Sequence, residues 1–293
     1  MLRRSRSSLK NPAKSSWTNN VYECKILADS WSTSGHRLTT FEVTFPRFIL
    51  AEFNTHRMLS RNAASSRAIP INKRIEAIEK DPYIPEEWGS KKAGMQAGPP
   101  IEDVAPLRRR WLYARDQAID NARWLDESGV HKQLVNRLLE PFAWVTVVAS
   151  ATTWDNFFHL RTHPDAQPEF QIIAKMMQSA MRVSRPPTLQ SYDWHLPYIT
   201  PEEVEAEDRD YIVLARMSSA RCARVSYLTH DGKRDRDKDL ELANRLFTSG
   251  HMSPFEHPAM AQDKPYAAGN FLGWTPYRKF LVNEDDPLRD KPQ

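Results

Sequence analysis

The chain has 293 residues, 40% of them apolar and 27% charged, with a net charge of +4 and two cysteines. That length supports a substantial core, and the mix is that of a folded rather than a disordered chain. No apolar run reaches the roughly 18 residues of a membrane span, and two cysteines without a CxxC pair exclude a disulfide framework and a Cys-type zinc cluster.

Residues 1–20, beginning MLRRSRSSLKNPAKSS, read as a basic flexible tail. No apolar stretch follows the charges, so a secretory signal is not expected and a reducing cytoplasm is. VYECKILA (Val21 to Ala28) alternates and predicts a strand. LTTFEVTFPRFILAEF (Leu38 to Phe53) predicts a second strand that breaks at Pro46 and runs into a short helix. Asp81 to Asp103, rich in Pro, Gly and Lys, predicts a loop. Pro106 opens a helix through Leu125, and Ser128-Gly129 stops it before a further helix from Val130 to Leu139. Pro141 to Trp154 is too apolar and too β-branched to assign. Trp154 to Arg161 and Pro168 to Val183 predict helices, the second with Phe170, Ile173, Met176, Met177 and Met181 on one face. Asp210 to Ser226 is mixed, and Lys238 to Ser249 predicts an amphipathic helix closed by Gly250 at C′. The segment after Gln262 is irregular. This is an α+β pattern of the α/β-type mixed kind without a composition break, and it predicts one domain over 21–262, with 263–293 packed on or near it as a C-terminal tail.

Three stretches concentrate polar groups. THRMLSRNAASSRA, Thr55 to Ala68, follows directly on the second strand with His56, Arg57, Ser60, Asn62, Ser65 and Arg67. Arginine offers a fixed fork to a phosphate or a carbonyl-rich heterocycle. On residue types alone the stretch is either a solvated turn or the floor of an anion site. In SGHMSPFEHP, Ser249 to Pro258, His251 and His257 are six apart with Pro254 between them. That is not the i, i+4 spacing that puts two imidazoles on one helical face, so no metal site is expected, and a loop holding a ligand through His251 fits better. DNFFHLRTHPDAQPEF, Asp155 to Phe170, reads by itself as an amphipathic helix with Asn156 and Arg161 in solvent. GxGxxG after a strand, GxxxxGK[ST] and GxSxG are all missing, which disfavours a Rossmann site, a P-loop and a serine hydrolase. The mild positive charge suits phosphate-bearing small ligands as well as nucleic acid. Basic residues do not cluster beyond the first fourteen positions, so nucleic acid is not an expected partner.

Together the three stretches resemble the flavin-dependent thymidylate synthases. That family's signature is Arg-His-Arg, seven residues and then Ser. Here Thr55-His56-Arg57 is followed by MLSRNAA and Ser65, with Ser60, Asn62 and Arg67 in the expected places. NRLLEP (Asn136 to Pro141) resembles a segment whose Arg reaches the nucleotide. NFFHLR followed by AQPEF resembles the family's Asn-Phe-x-x-x-Arg and Ala-Gln-x-Glu helix. ARVSY (Ala223 to Tyr227) and GHMSPFEH resemble its flavin-phosphate segment, although in typical members that segment precedes the signature. Thr55, Ala63 and Ala68 stand where the family has Arg, Glu and Tyr, and Glu52 stands where it has Gln.

The resemblance implies a central mixed sheet flanked by helices and the C5 methylation of a pyrimidine deoxynucleotide, dUMP to dTMP. It implies FAD, NADPH and methylenetetrahydrofolate, no protein nucleophile, no metal, and a homotetramer with FAD between subunits. It puts Arg161 and Ser65 at the reaction. It gives flavin to His56, Arg57, Asn62, Asn156, Ser226 and His251, and the nucleotide to Glu52, Ser65, Arg67, Arg137 and Arg161. The altered signature leaves hydroxymethylation of dUMP or dCMP open as a sister chemistry on the same scaffold. A nucleic-acid-binding protein and a scaffold that has lost catalysis are the readings from other classes.

Overall fold

The computed structural model describes residues 22–225, 234–282 and 284–285. In chain order the elements are β1 (Glu23–Ser32), β2 (Arg37–Pro46), a 3-10 turn (Arg47–Ile49), α1 (Leu50–Phe53), β3 (Ser60–Ala63), α2 (Ile71–Lys80), α3 (Ala105–Glu127) and α4 (Lys132–Val135). A 3-10 segment (Asn136–Phe142), β4 (Trp144–Ala151), α5 (Asp155–Arg161), α6 (Pro168–Val183), β5 (Thr188–Leu189), β6 (Trp194–His195) and α7 (Pro201–Ala206) follow. The chain continues through α8 (Tyr211–Arg224), α9 (Arg236–Thr248), a 3-10 turn (Ser253–Glu256), β7 (Ala259–Ala261), β8 (Ala267–Ala268), β9 (Phe271–Leu272), β10 (Trp274–Pro276) and a closing 3-10 turn (Tyr277–Phe280).

Five strands form the central sheet in the order β3-β4-β2-β1-β5. β1, β2, β4 and β3 pair antiparallel, while β5 joins β1 in parallel. The sheet is therefore mixed, and the α+β class expected from the sequence is the one observed. β1 and β2 form a hairpin whose turn holds Gly35 at φ +82, a conformation that favours glycine.

One sheet face carries Phe41, Val43 and Phe45 of β2 with Val145, Val147, Ala149 and Ala151 of β4. Phe53, Phe157, Phe158, Phe170, Ile173 and Met177 close over it from α1, α5 and α6. Burying a side chain of this size contributes about 1.5–3 kcal/mol each, so this layer is the principal driving force for the fold. The other face meets α8, where Val148 packs with Cys222 and Val225. β4 is thus covered on both sides, which is why its sequence lacks alternation and does not announce a strand.

Other elements depart from the sequence expectation for local reasons. The predicted helix from Val130 to Leu139 is one short α-turn followed by 3-10 backbone that contains Pro141. Proline has no N–H for an i to i−4 bond, so the α-pattern does not extend through it. The mixed segment from Asp210 is the helix α8, buried nearly all round and therefore without an amphipathic stripe. Its Arg221 bonds Asp239 on α9 (2.7 Å) and Glu203 on α7 (2.8 Å), which ties three helices together. α9 ends as expected: Gly250 takes φ +72, and the N–H of His251 bonds the carbonyl of Leu246 at 2.9 Å. β6, β7 and β10 form a second small sheet, so the chain after Gln262 includes strand structure that its composition does not reveal. No helix among the described residues is long and apolar enough to cross a membrane.

Candidate active site

Two short segments, about a hundred residues apart in the chain, meet at one end of the aromatic core. The first leaves β2 at Pro46. Ile49 and Phe53 are fully buried and anchor it, so the chain surfaces at Asn54 with Thr55, His56 and Arg57 at the opening. Arg61 on β3 reaches back with Nη1 to the carbonyls of Asn54 (2.9 Å) and His56 (2.8 Å), which fixes the turn. The second segment is α5. Trp154, Phe157 and Phe158 are buried and pin that helix, leaving Asn156 exposed and the Arg161 side chain 20% exposed.

Arg161 joins the two. Its Nε donates to Nε2 of His56 at 2.8 Å, and its Nη1 pairs with Oε2 of Glu52 at 3.2 Å. The guanidinium carbon sits 4.4 Å from the ring centroid of Phe170, a cation–π contact. Burial lowers the His56 pKa to about 4, helped by the charges of Arg161 and Arg61, so the ring is neutral at pH 7. A neutral ring that accepts at Nε2 carries its proton on Nδ1. In front of this trio lies a cavity of about 500 Å³ lined by Thr55, His56, Arg57, Asn156, Leu160 and Arg161 among others. Ligand pockets commonly fall in the range of about 300–1,000 Å³.

A family model for thymidylate synthase complementing protein matches residues 4–186, more than half of the chain. The chain belongs to that family. This is the family of the flavin-dependent thymidylate synthases that the signature resembles, and membership carries the coarse functional statement: pyrimidine-nucleotide methylation or chemistry related to it. No curated protein matches the sequence. Among solved structures, the chain is similar to a UMP/dUMP methylase, PolB from Streptomyces cacaoi, bound with 5-Br dUMP. That match has 17% identity and a TM-score of 0.46, over 55% of this chain and 90% of that one. A second match is flavin dependent thymidylate synthase ThyX from Helicobacter pylori complexed with FAD and dUMP, at 20% identity and TM-score 0.34, over 49% of this chain and 67% of that one. At those scores neither match bears on the ligands of this chain.

The other site residues that the resemblance implies for this family member sit apart from the cavity lining. Ser65 accepts the backbone N–H of Arg67 at 3.2 Å, and the Arg67 side chain is exposed. Arg137 donates to Oε1 of Glu140 at 2.9 Å. The same carboxylate oxygen accepts from Nε of Arg47 at 2.9 Å and from the hydroxyl of Ser66 at 2.5 Å. Asn62 is buried on β3, where its amide donates to the carbonyl of Cys222 (3.2 Å) and accepts from Ser253 (2.8 Å). Those bonds fasten β3 to α8 and to the 253–256 turn. His251 is exposed beyond α9, with Nδ1 3.2 Å from Ser249 Oγ, in a cleft shared with Asn244 and Arg245. Ser226 lies outside the described residues, and both ARVSY and GHMSPFEH lie outside the family match.

The signature's departures have distinct settings. The Thr55 hydroxyl donates to the Glu52 carbonyl at 2.6 Å, so this rim position offers no cation. Ala63 sits opposite Val147 and packs against the main core. The sequence reading missed Arg61, Arg47 and Glu140. For Arg47 a signal exists in FPRFIL, where one charge interrupts an apolar run, as a buried and paired arginine must.

Proposed function

We propose that this chain methylates C5 of a pyrimidine deoxynucleotide, converting dUMP to dTMP with methylenetetrahydrofolate as carbon donor and NADPH as reductant, and without a protein nucleophile. The observation that carries the reading is the assembly of His56, Arg57, Asn156 and Arg161 around one cavity, with Glu52 paired to Arg161 behind it. The donors there fit a flavin: Asn156 and Arg57 suit the carbonyl and phosphate oxygens of FAD, and the neutral ring of His56 adds no charge beside it. The FAD supplies hydride transfer when bound.

The residues do the rest through position and charge. Phe170 supports the Arg161 guanidinium from below, and His56 and Glu52 hold it from the side. Five N–H donors are more than those two contacts use. The remainder can meet a pyrimidine carbonyl and stabilise negative charge that develops on it, the kind of preorganised stabilisation that contributes most to many enzymes. His56, by accepting the Nε proton, fixes the plane of the fork. The glutamate at position 52 is an acceptor only, whereas the family's glutamine also donates, so it favours a base that presents an N–H.

Ser65, Arg67 and Arg137 are assigned to the nucleotide. They do not line the same cavity, and a homotetramer that brings one subunit's Arg67 and Arg137 to another's Arg161 accounts for the separation. Asn62, Ser226 and His251 remain proposed flavin contacts under the same assembly, with Asn62 needing to release its present partners.

Hydroxymethylation of dUMP or dCMP is the second reading, favoured by Thr55 at the cavity rim where the family has a cation. Mass spectrometry of the product from each nucleotide separates the two. A methyl group on dUMP supports the first reading, a hydroxymethyl group the second, and unchanged nucleotide with FAD, NADPH and methylenetetrahydrofolate all present sinks both.

A further inference from the structure

GNFLGWTPYRKF, Gly269 to Phe280, lies outside the family match and outside every motif that carries the resemblance. Its seat in the fold is fixed from one side. Phe271 and Trp274 are buried with Leu38, Ala259 and Ala261, and β10 pairs antiparallel with β7. The Trp274 indole N–H donates to the carbonyl of His36 at 3.0 Å, beside the turn that joins β1 to β2. From that seat β8 and β9 project as a small hairpin with Asn270 in its turn.

Three contacts run from this segment to the surroundings of the cavity. The Asn270 amide donates to Ser60 Oγ at 3.2 Å. Ser60 stands between Leu59, which lines the cavity, and Arg61, which clasps the turn. The backbone N–H of Leu272 donates to Thr152 Oγ1 at 3.1 Å, next to Thr153 in the other wall. Arg278 pairs with Glu256 at 2.5 Å, and while burial lowers the Arg61 pKa, the nearby charge of Glu256 opposes that shift. Ser60 is 3% exposed, so losing Asn270 leaves a buried hydroxyl unpaired, which costs more than losing an exposed bond. One hairpin thus holds both segments that meet in the His56–Arg161 bond, each at a residue beside the lining.

We propose that residues 269–280 are a positioning element of the candidate active site, with Asn270 as the positioning residue that acts through Ser60 on the wall carrying His56 and Arg61. A shift of that wall moves His56 against Arg161, and misplacing a reacting geometry by about 1 Å costs up to about a hundredfold in rate. The identity of the ligand in the cavity rests on the proposed function, whereas the positioning does not.

The test uses the full chain with Asn270→Ala, Ser60→Ala, the double variant, and Asn270→Asp, whose carboxylate can accept from the Ser60 hydroxyl. Backbone hydrogen exchange is followed peptide by peptide by mass spectrometry. Turnover of dUMP with FAD, NADPH and methylenetetrahydrofolate gives kcat and KM. Asn270→Ala is expected to speed exchange over residues 54–61 by about tenfold, a local opening, while β1 and β2 exchange as in wild type. Its kcat should fall by about ten- to a hundredfold with KM for dUMP nearly unchanged, because geometry and not binding is disturbed. The double variant should lose no more than Ser60→Ala alone, the mark of two residues acting as one. Asn270→Asp should restore most of both readouts. Unchanged exchange over 54–61, exchange that rises equally along the whole chain, or losses that add in the double variant overturn the inference. A wild type without turnover removes the proposed function, and the exchange pattern then decides the positioning by itself.

Discussion

Arg161 donates to His56 across 2.8 Å, joining the helix that follows β4 to the turn that follows α1. Neither residue has this partner in its own local sequence. The bond exists because buried aromatic residues on both segments, Phe53 on one side and Phe157 on the other, pack 5.7 Å apart centroid to centroid and bring the two backbones together.

Replacing Arg161 tests what the contact is for. Arg161→Ala is expected to lower turnover by about a hundred- to a thousandfold, the range for loss of one preorganised donor to a developing charge. Flavin content, read from the visible absorbance of the purified variant, should change far less. A fully active yellow variant would show that Arg161 does not act on the substrate.

Arg61 positions the turn and lies outside the signature's required residues. Arg61→Ala removes its bonds to the Asn54 and His56 carbonyls. The expected outcome is flavin affinity weakened about tenfold, the effect of roughly 1.4 kcal/mol, with an unchanged far-ultraviolet spectrum. Flavin affinity equal to wild type would mean the turn holds its shape without this side chain.

Acid should destabilise the fold through two histidines. His195 and His257 are fully buried, and burial holds both pKa values near 3, below the 6.5 of an unfolded chain. Between those values the unfolded state binds more protons, so stability rises with pH across that window and is lost as pH falls below 6.5. Each histidine contributes about 2 kcal/mol of loss between pH 7 and pH 5. Chemical denaturation at the two pH values measures it, and replacing His257 by Gln should flatten the dependence by about half. The two rings belong to one buried run in which His195 Nε2 is 2.8 Å from Thr40 Oγ1, Thr40 is 2.6 Å from Ser150, and Ser150 is 2.8 Å from His257 Nδ1. A stability independent of pH in this range contradicts the assignment of neutral, buried rings.

The Arg221 network is a buried polar contact that should be costly to break. Asp239 is 1% exposed, and among the described residues Arg221→Ala leaves it paired only with the more exposed Arg224. The expected loss is about 3–5 kcal/mol, as for other buried pairs broken from one side. Denaturant titration reads it directly, and a loss below about 1 kcal/mol would place the pair in effective contact with solvent.

What the sequence reveals follows from how many faces an element buries. α6 with its stripe of Phe170, Ile173 and Met177 and α9 with Gly250 each bury one side and are legible, while β2, largely buried on both faces, is legible through the alternation of Phe41, Val43 and Phe45 and its proline break. β4 and α8 bury nearly everything and show no period, so one of the two strands beside β2 and the helix packed on it stay hidden. β3 hides for the opposite reason. Its polar run SRNA looks like a loop, yet Asn62 meets its partners 160 and 191 residues away, at Cys222 and Ser253. The cavity is legible only in part on the same ground. The family resemblance singles out His56 and Arg161, but their bond, the Arg61 clasp and the Asn270–Ser60 bond depend on tertiary neighbours that no spacing rule reports.

The absorbance spectrum of the purified protein, recorded before and after adding dUMP, tests the central claim most directly. The account predicts flavin bands in the protein as purified or after incubation with FAD, and a shift in those bands when dUMP enters beside Arg161. A protein that takes up no FAD, or a flavin spectrum indifferent to saturating dUMP and dCMP, contradicts it.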